Sequence, residues 1–479
     1  MDKTSTLNIA VMSTGQSFYD VTTSGYLRCT LLNLVLGRFM FSDAKIDDAG
    51  SLLACPPSTK NFIQWHFQLK TDLEFHDGKK LTSFDIKKSF EFLFSSPYET
   101  PDLSVLRPYF EPTGIECHGP LEISFTLKKP CTVFDKIIYE SSLSPVPVEH
   151  LLSPVEHLKA PSSNCGAHLS WKKIPIGCGP FAIVESYEEG RSILLKRVKP
   201  STDKFNFIKL ISTNVLTDAD LILGADENPD AQKFSEVKLP IPFLMYGLYF
   251  DYSHPLARNV EFRKYLMESI DRTTLHKVVP TALSNPLPVP VKWMSKEFLK
   301  KLIDPSPAKN QSFWKPGNEK IKIRVGKSSD ATRRLITNEL KRQWEEKGLI
   351  IEFSDGQVVG GFTSLIPSVP GPLQVFQLFQ RGSSWTGDLS EQHDHYQFLM
   401  NKADSASSPK EQESIFEELS QEFVNQVLAI PLFEFPLIIY ANSKKMDLST
   451  IGAVGTEILA ENIKNKITNQ TRKMEQQPK

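Results

Sequence analysis

The residues whose types could carry chemistry gather between Arg381 and His395, in RGSSWTGDLSEQHDH. Arg381, Trp385, Thr386 and Asp388 put a cation, an indole, a hydroxyl and a carboxylate into one short polar stretch. Asp388 has a lesser reading as a surface turn or helix-cap residue, and Trp385 reads equally as a core anchor. Glu391, His393, Asp394 and His395 follow and invite comparison with a metal cluster. An H-x-H in a polar loop is usually solvated, however, and no second group at a recognised ligand spacing supports it, so no metal and no cofactor are expected. Elsewhere there is no G-x-S-x-G elbow, H-E-x-x-H pair, Walker loop or kinase set, and hence no basis for an enzyme. The glycines of Pro175-Ile176-Gly177-Cys178-Gly179-Pro180-Phe181 precede a strand pair rather than a helix, which argues against a phosphate loop. Cys29, Cys55, Cys117, Cys131, Cys165 and Cys178 contain no C-x-x-C pair, leaving disulfides or buried free thiols.

The elements that must position these residues are legible from periodicity. In WHFQLKTDLEFHDGKKLTSFDIKKSFEFLF, Trp65, Phe67 and Leu69 alternate with polar residues as in a half-buried strand. Asp77-Gly78 makes a turn, and Thr82 with Asp85 forms a capping box. In the helix that follows, Phe84, Lys88, Glu91 and Phe92 keep helical spacing, with Ile86, Phe90 and Phe94 widening the apolar face. Thr6 to Met12 reads as a buried strand, Tyr26 to Phe41 as an apolar helix with a turn, and IECHGPLEISFTLKKP as a hairpin. Val260 to Ile270 is amphipathic. IKIRVG, a helix with Leu335, Ile336, Leu340 and Trp344 on one face and Gly348 as its stop, and LIIEF make a β-α-β unit. LQVFQLF from Leu373 reads as a strand, Ile415, Phe416, Leu419 and Phe423 as a helix face, and FPLIIYA as a closing strand.

At 479 residues the chain exceeds one core and implies two or three domains. Its 40% hydrophobic and 23% charged content is that of a globular protein, and a net charge of -1 argues against nucleic acid as partner. No apolar run approaches a membrane span. MDKTSTLNIAVMSTG lacks the features of a secretory signal and a lipoprotein cysteine, so the chain is either a mature or truncated extracytoplasmic form or a cytoplasmic one.

Phe75, Asp77, Gly78, Leu81, Thr82 and Asp85 resemble the signature of the family 5 extracellular solute-binding proteins of ATP-driven importers, the oligopeptide, dipeptide and nickel binders. Further landmarks follow in that family's order: PIGCGPF, VEFRKYLMESIDR with Arg263 and Asp271-Arg272 in register, the proline-rich NPLPVP, and Trp385 with Asp388 at the spacing of a G-W-x-x-D motif. Tyr265 and Ser269 stand where the family usually has Ala, Cys178 replaces a Thr and Ser384 a Gly. The resemblance runs from about Thr6 to Tyr440.

It implies an α/β, type II periplasmic-binding-protein fold: a discontinuous lobe I (1–45, 163–245 and 441–479), a subdomain at 46–162, and lobe II at 246–440. It further implies a monomer that captures short peptides between lobes closing about a hinge and delivers them to ABC permease subunits. Backbone around Trp385 and Thr386 would pair with the extended peptide, Asp388 would accept its α-ammonium group, and Arg381 is a candidate for its carboxylate. A sealed-in ammonium needs a carboxylate, because an unpaired buried charge is costly. Alternatives within the fold are a nickel chelate, haem or sugar ligand; outside transport, an intracellular sensing module, or an enzyme or degenerate scaffold that has lost transport.

Overall fold

The computed structural model of the chain describes residues 6–12, 31, 34–39, 51–95, 106–138, 144–150, 176–187, 191–201, 204–213, 219–225, 228–278, 312–325, 331–365, 372–377, 379, 394–451, 453–454, 457–458 and 463–464. The chain folds as two units, one made of Met1–Leu239 with Ile438–Lys479 and the other of Pro240–Leu437.

The first unit is built on β1 (Thr6–Met12), whose Leu7, Ile9, Ala10 and Val11 are all buried. A near-continuous apolar run suits a strand enclosed on both faces of a parallel arrangement. A separate four-stranded sheet follows: β2 (Ser58–Lys60), β3 (Gln64–Gln68), β4 (Ile115–Cys117) and β5 (Glu122–Thr126), in the order β2-β3-β5-β4 and wholly antiparallel. Trp65 and Phe67 point inward as the alternation predicts. They meet α1 (Ser83–Ser95) in an aromatic core in which Phe125 lies 5.4 Å from both Phe67 and Phe90. Edge-to-face contacts of this sort add to the burial of large rings. The buried face of α1 is Ile86, Ser89, Phe90 and Leu93, whereas Phe84 is 51% exposed. The expected placement of Phe84 on the apolar face is thereby corrected. Helical spacing allowed two overlapping stripes, and the sheet covers the one centred on Phe90.

The chain returns to the first unit's main sheet through β6 (Phe181–Tyr187) and β7 (Ser192–Arg197), the antiparallel pair expected after the glycine loop. β8 (Phe207–Thr213) and β9 (Leu221–Leu223) lie parallel to β1 on either side, giving the order β9-β1-β8-β7-β6. Asp220, buried at the start of β9, accepts from the backbone N–H and the side-chain amide of Asn8 and from Lys445 at 2.7 Å.

The second unit carries most of β10 (Ser235–Phe250), one unbroken strand of 16 residues. After it come α2 (Val260–Glu268), capped by Asn259, and α3 (Arg272–Val278), whose first turn is held by the Asp271 carboxylate. β11 (Lys320–Val325), α4 (Ala331–Glu346) and β12 (Ile350–Phe353) form the expected β-α-β unit, with β11 and β12 parallel. Ile336, Leu340 and Trp344 are fully buried, but Leu335 is 52% exposed and lies off the face assigned to it. Thr337 and Gln343 share the buried face instead; Gln343 accepts from the Asp271 backbone N–H and so faces α3.

β13 (Gly360–Leu365), which periodicity did not reveal, pairs antiparallel with β10 and parallel with β11. Then come α5 (Pro372–Gln377), α6 (Asp394–Asp404), α7 (Pro409–Gln426) and β14 (Ala429–Ala441). The strand order here is β12-β11-β13-β10-β14. The last residues of β14, Ile439–Ala441, belong to the first unit and pair with β9. α5 corrects the strand expected from Leu373. A short apolar run fits either period, and Pro372 at the start with Val375, Phe376 and Phe379 at helical spacing settles it as a helix.

Candidate functional site

Arg381, Trp385, Thr386 and Asp388 lie outside the described residues. What the structure defines is how the chain is held on each side of them, all within the second unit. On the N-terminal side Val375, Phe376 and Phe379 are buried. Phe379 meets Phe423 of α7 edge-on at 4.9 Å and stacks on Tyr249 of β10 at 6.2 Å. Phe376 stacks on Phe416 of α7 at 5.6 Å.

On the C-terminal side α6 buries Tyr396, Leu399, Met400 and Ala403. The Tyr396 hydroxyl donates to the Phe376 carbonyl oxygen at 2.9 Å, and the two rings meet at 6.5 Å. Residues just before and just after the candidate stretch are therefore tied to each other and to α7. Buried rings thus fix the described chain on either side of the candidate stretch.

Burial pushes the Tyr396 phenol well above its ordinary range, and Tyr249 likewise. Tyr252 is raised to about 12 by the same cause, and its hydroxyl donates to the Leu428 carbonyl oxygen at 2.8 Å. These three phenols stay protonated at any physiological pH, and those of Tyr396 and Tyr252 act as donors. Sequence reasoning missed them as a set. The available signal was local: Tyr249 and Tyr252 three residues apart, and Tyr396 in helical register with Leu399, Met400 and Ala403.

Of the four residues compared with a metal cluster, Glu391 and His393 lie outside the described residues. His395 stacks on Phe398 with ring centroids 6.3 Å apart. Among the described residues no group of three or more His, Cys, Asp or Glu could hold a metal ion, and no helix is long and apolar enough to cross a membrane. Cys55, Cys117, Cys131 and Cys178 are free thiols, the last two buried; Cys29 and Cys165 lie outside the described residues.

Arg263 and Asp271, the charged landmarks of the second unit, do structural work. The Arg263 guanidinium donates to the carbonyl oxygens of Ala257, Gln426 and Val427, closing the C-terminus of α7. Tyr265, where a small residue was expected, packs on Trp314 at 5.2 Å and donates to the Lys347 carbonyl oxygen.

The chain is similar to proteins of known class. The oligopeptide-binding protein AppA of Bacillus subtilis is 22% identical over 261 residues, covering 51% of this chain and 46% of that protein, so the alignment spans about half the relative's length. Among solved structures, the ABC transporter substrate-binding protein CtaP of Listeria monocytogenes superposes with a TM-score of 0.72 at 16% identity, covering 96% of this chain and 99% of that one. Haemophilus influenzae OppA, in complex with RPPGFSPFR, gives a TM-score of 0.70 at 14% identity over 97% and 99% of the two chains. NikZ of Campylobacter jejuni, in complex with Ni(L-His), gives 0.72 at 16% over 96% and 100%. The fold is thus that of the type II periplasmic binding proteins. Residues 57–357 match the model of the bacterial extracellular solute-binding proteins, family 5 Middle, and the chain is a member of that family of solute-binding proteins.

Proposed function

We propose that the chain is the substrate-binding component of an ABC peptide importer. It acts outside the cytoplasmic membrane as a monomer, captures short peptides and delivers them to permease subunits, and it performs no catalysis. The observation that carries this reading is the Trp385-Thr386-Gly387-Asp388 motif, in a family 5 chain and between two aromatic anchors. In it Asp388 accepts the α-ammonium group of the peptide. The backbone at Trp385 and Thr386 pairs with an extended main chain, and Arg381 meets the peptide carboxylate. Such pairing gives affinity with little dependence on side chains.

Calorimetric titration with a short-peptide library, before and after N-acetylation, tests the reading. Asp388→Ala should weaken binding of unmodified peptides by about 100-fold, the cost of stranding a desolvated charge. N-acetylation should weaken binding to the wild type by a similar factor. Unchanged affinity in both experiments would remove the ammonium role.

A non-peptide ligand is the second reading, favoured by the likeness to NikZ, whose solved complex holds Ni(L-His). A native mass spectrum of the purified protein separates the two. Co-purified peptides support the first, and a retained metal chelate or other small solute replaces it with the second.

A further inference from the structure

Three segments of the first unit stack in sequence: the turn at residues 74–80, which carries His76, bonds the glycine loop at residues 177–179, and that loop lies against the segment at residues 34–37. The glycine loop leads directly into β6. It lies flat on the backbone of the third segment, with Gly179 donating its N–H to the Val35 carbonyl oxygen at 2.8 Å. A Cβ on Gly177 would stand 2.1 Å from the Val35 oxygen, and one on Gly179 2.6 Å from the Val35 carbonyl carbon. Any other residue would push the loop away.

His76 joins the turn to this loop with three hydrogen bonds. Its backbone N–H donates to the Gly177 carbonyl oxygen at 2.8 Å. Its ring Nε2 lies 3.1 Å from the Gly179 carbonyl oxygen, and its Nδ1 accepts from the Gly177 N–H at 3.4 Å. A carbonyl oxygen only accepts and a backbone N–H only donates, so the two contacts specify one neutral tautomer, with the proton on Nε2 and the lone pair on Nδ1. A second proton has one place to go. It would sit on Nδ1, pointing at the Gly177 N–H, and would turn a hydrogen bond into a clash of donors.

We propose that His76 is a pH-sensitive clip, which fastens the signature turn to the loop that starts β6 when its ring is neutral and releases that junction when its ring is protonated. The groups around it do not offset the effect. On the turn, Asp77 favours the charged ring, but burial outweighs it and the pull of the Gly179 carbonyl oxygen, holding the imidazole below its ordinary range. On the loop, burial raises the Cys178 thiol to about 12, so it brings no charge. The third segment, Leu34 to Gly37, carries no titratable side chain.

The sign follows from the depressed value. The released ring binds a proton more readily than the clipped one, so the stabilisation is complete above the ordinary histidine value of about 6.5 and is lost as pH falls through the clipped value. Between the two values, each pH unit shifts the closing equilibrium about tenfold. Acid thereby loosens this junction while the sheet around β1 and β8 stays closed.

Hydrogen exchange on the full chain, corrected for the intrinsic pH dependence, tests this. Between about pH 7.5 and about pH 5, protection of the His76 and Gly177 amides, the two that bond across the junction, should fall by up to about tenfold per unit, with β8 amides unchanged. In His76→Gln the same amides should show protection that does not vary with pH. Protection at His76 and Gly177 that tracks β8, or a variant profile that follows the wild type, overturns the clip. Nitrogen-resolved NMR of the wild-type imidazole is a second arm that requires no variant to fold. A neutral ring protonated on Nε2 at neutral pH supports the proposal, and a ring protonated on Nδ1 or already charged there overturns it. Neither arm involves the transported solute.

Discussion

Arg263 is a fully buried cation whose guanidinium donates to carbonyl oxygens. Burial lowers its pKa, opposed by the nearby Tyr252, over whose ring the guanidinium lies at 5.3 Å. What it holds is unusual. Val427 ends α7 in the left-handed region, at φ 47°, a conformation that β-branched residues resist. The fork spans the Gln426 and Val427 carbonyl oxygens and satisfies acceptors that a helix end leaves open. Arg263→Ala should therefore destabilise the protein by about 3 kcal/mol, from charged hydrogen bonds lost and buried carbonyls stranded. Urea unfolding would show it as a lower midpoint, and Arg263→Lys, which lacks the fork, should recover only part. The residue was legible as a landmark in its motif, but its partner Gln426, 163 positions away in the chain, was not.

At the scale of elements, α1 shows how far local chemistry reaches. The Asp85 carboxylate accepts from the Thr82 N–H at 3.0 Å, as the capping box predicts, and also from the Thr82 hydroxyl at 2.7 Å. The hydroxyl thus donates to the carboxylate, and Lys79 closes the cluster at 3.0 Å. Burial alone would raise the Asp85 pKa; the bonds from Thr82 and Lys79 more than offset it and leave it below the ordinary value. A depressed carboxylate stabilises above its unfolded value of about 3.9, and that stabilisation is lost as pH falls through the folded value. Asp85→Asn should cost about 1 kcal/mol near neutral pH, and the difference from wild type should vanish in strong acid. Thermal unfolding of both proteins across the acid range checks it. By contrast, the buried stripe of α1 and the exposure of Leu335 on α4 were not decided locally, because each helix offered more than one apolar stripe.

At the scale of the whole molecule, the chain passes between its two units within β10 and within β14. Inside the second unit these strands lie side by side, and at Gly247 they approach so closely that a Cβ would stand 2.6 Å from the Ile430 carbonyl oxygen. Backbone cannot yield as a side-chain tip does. Gly247→Ala should destabilise the second unit by about 1–3 kcal/mol. In calorimetry its transition should move down while that of the first unit stays, and a uniform shift of one transition would show that the units melt together.

What the sequence by itself determined about this protein is what local chemistry and short periods encode. β1 and β3, the capped start of α1, the β-α-β unit of β11, α4 and β12, and the family signature all rest on residues within a turn or two of one another. Only the tertiary structure decided the rest. It showed which stripe of α1 is covered, that the run from Pro372 is a helix, that β10 is one long strand, and that Tyr396 ties itself to Phe376. These are outcomes of competition between distant partners for the same apolar surface, and local periodicity carries no record of which partner arrives.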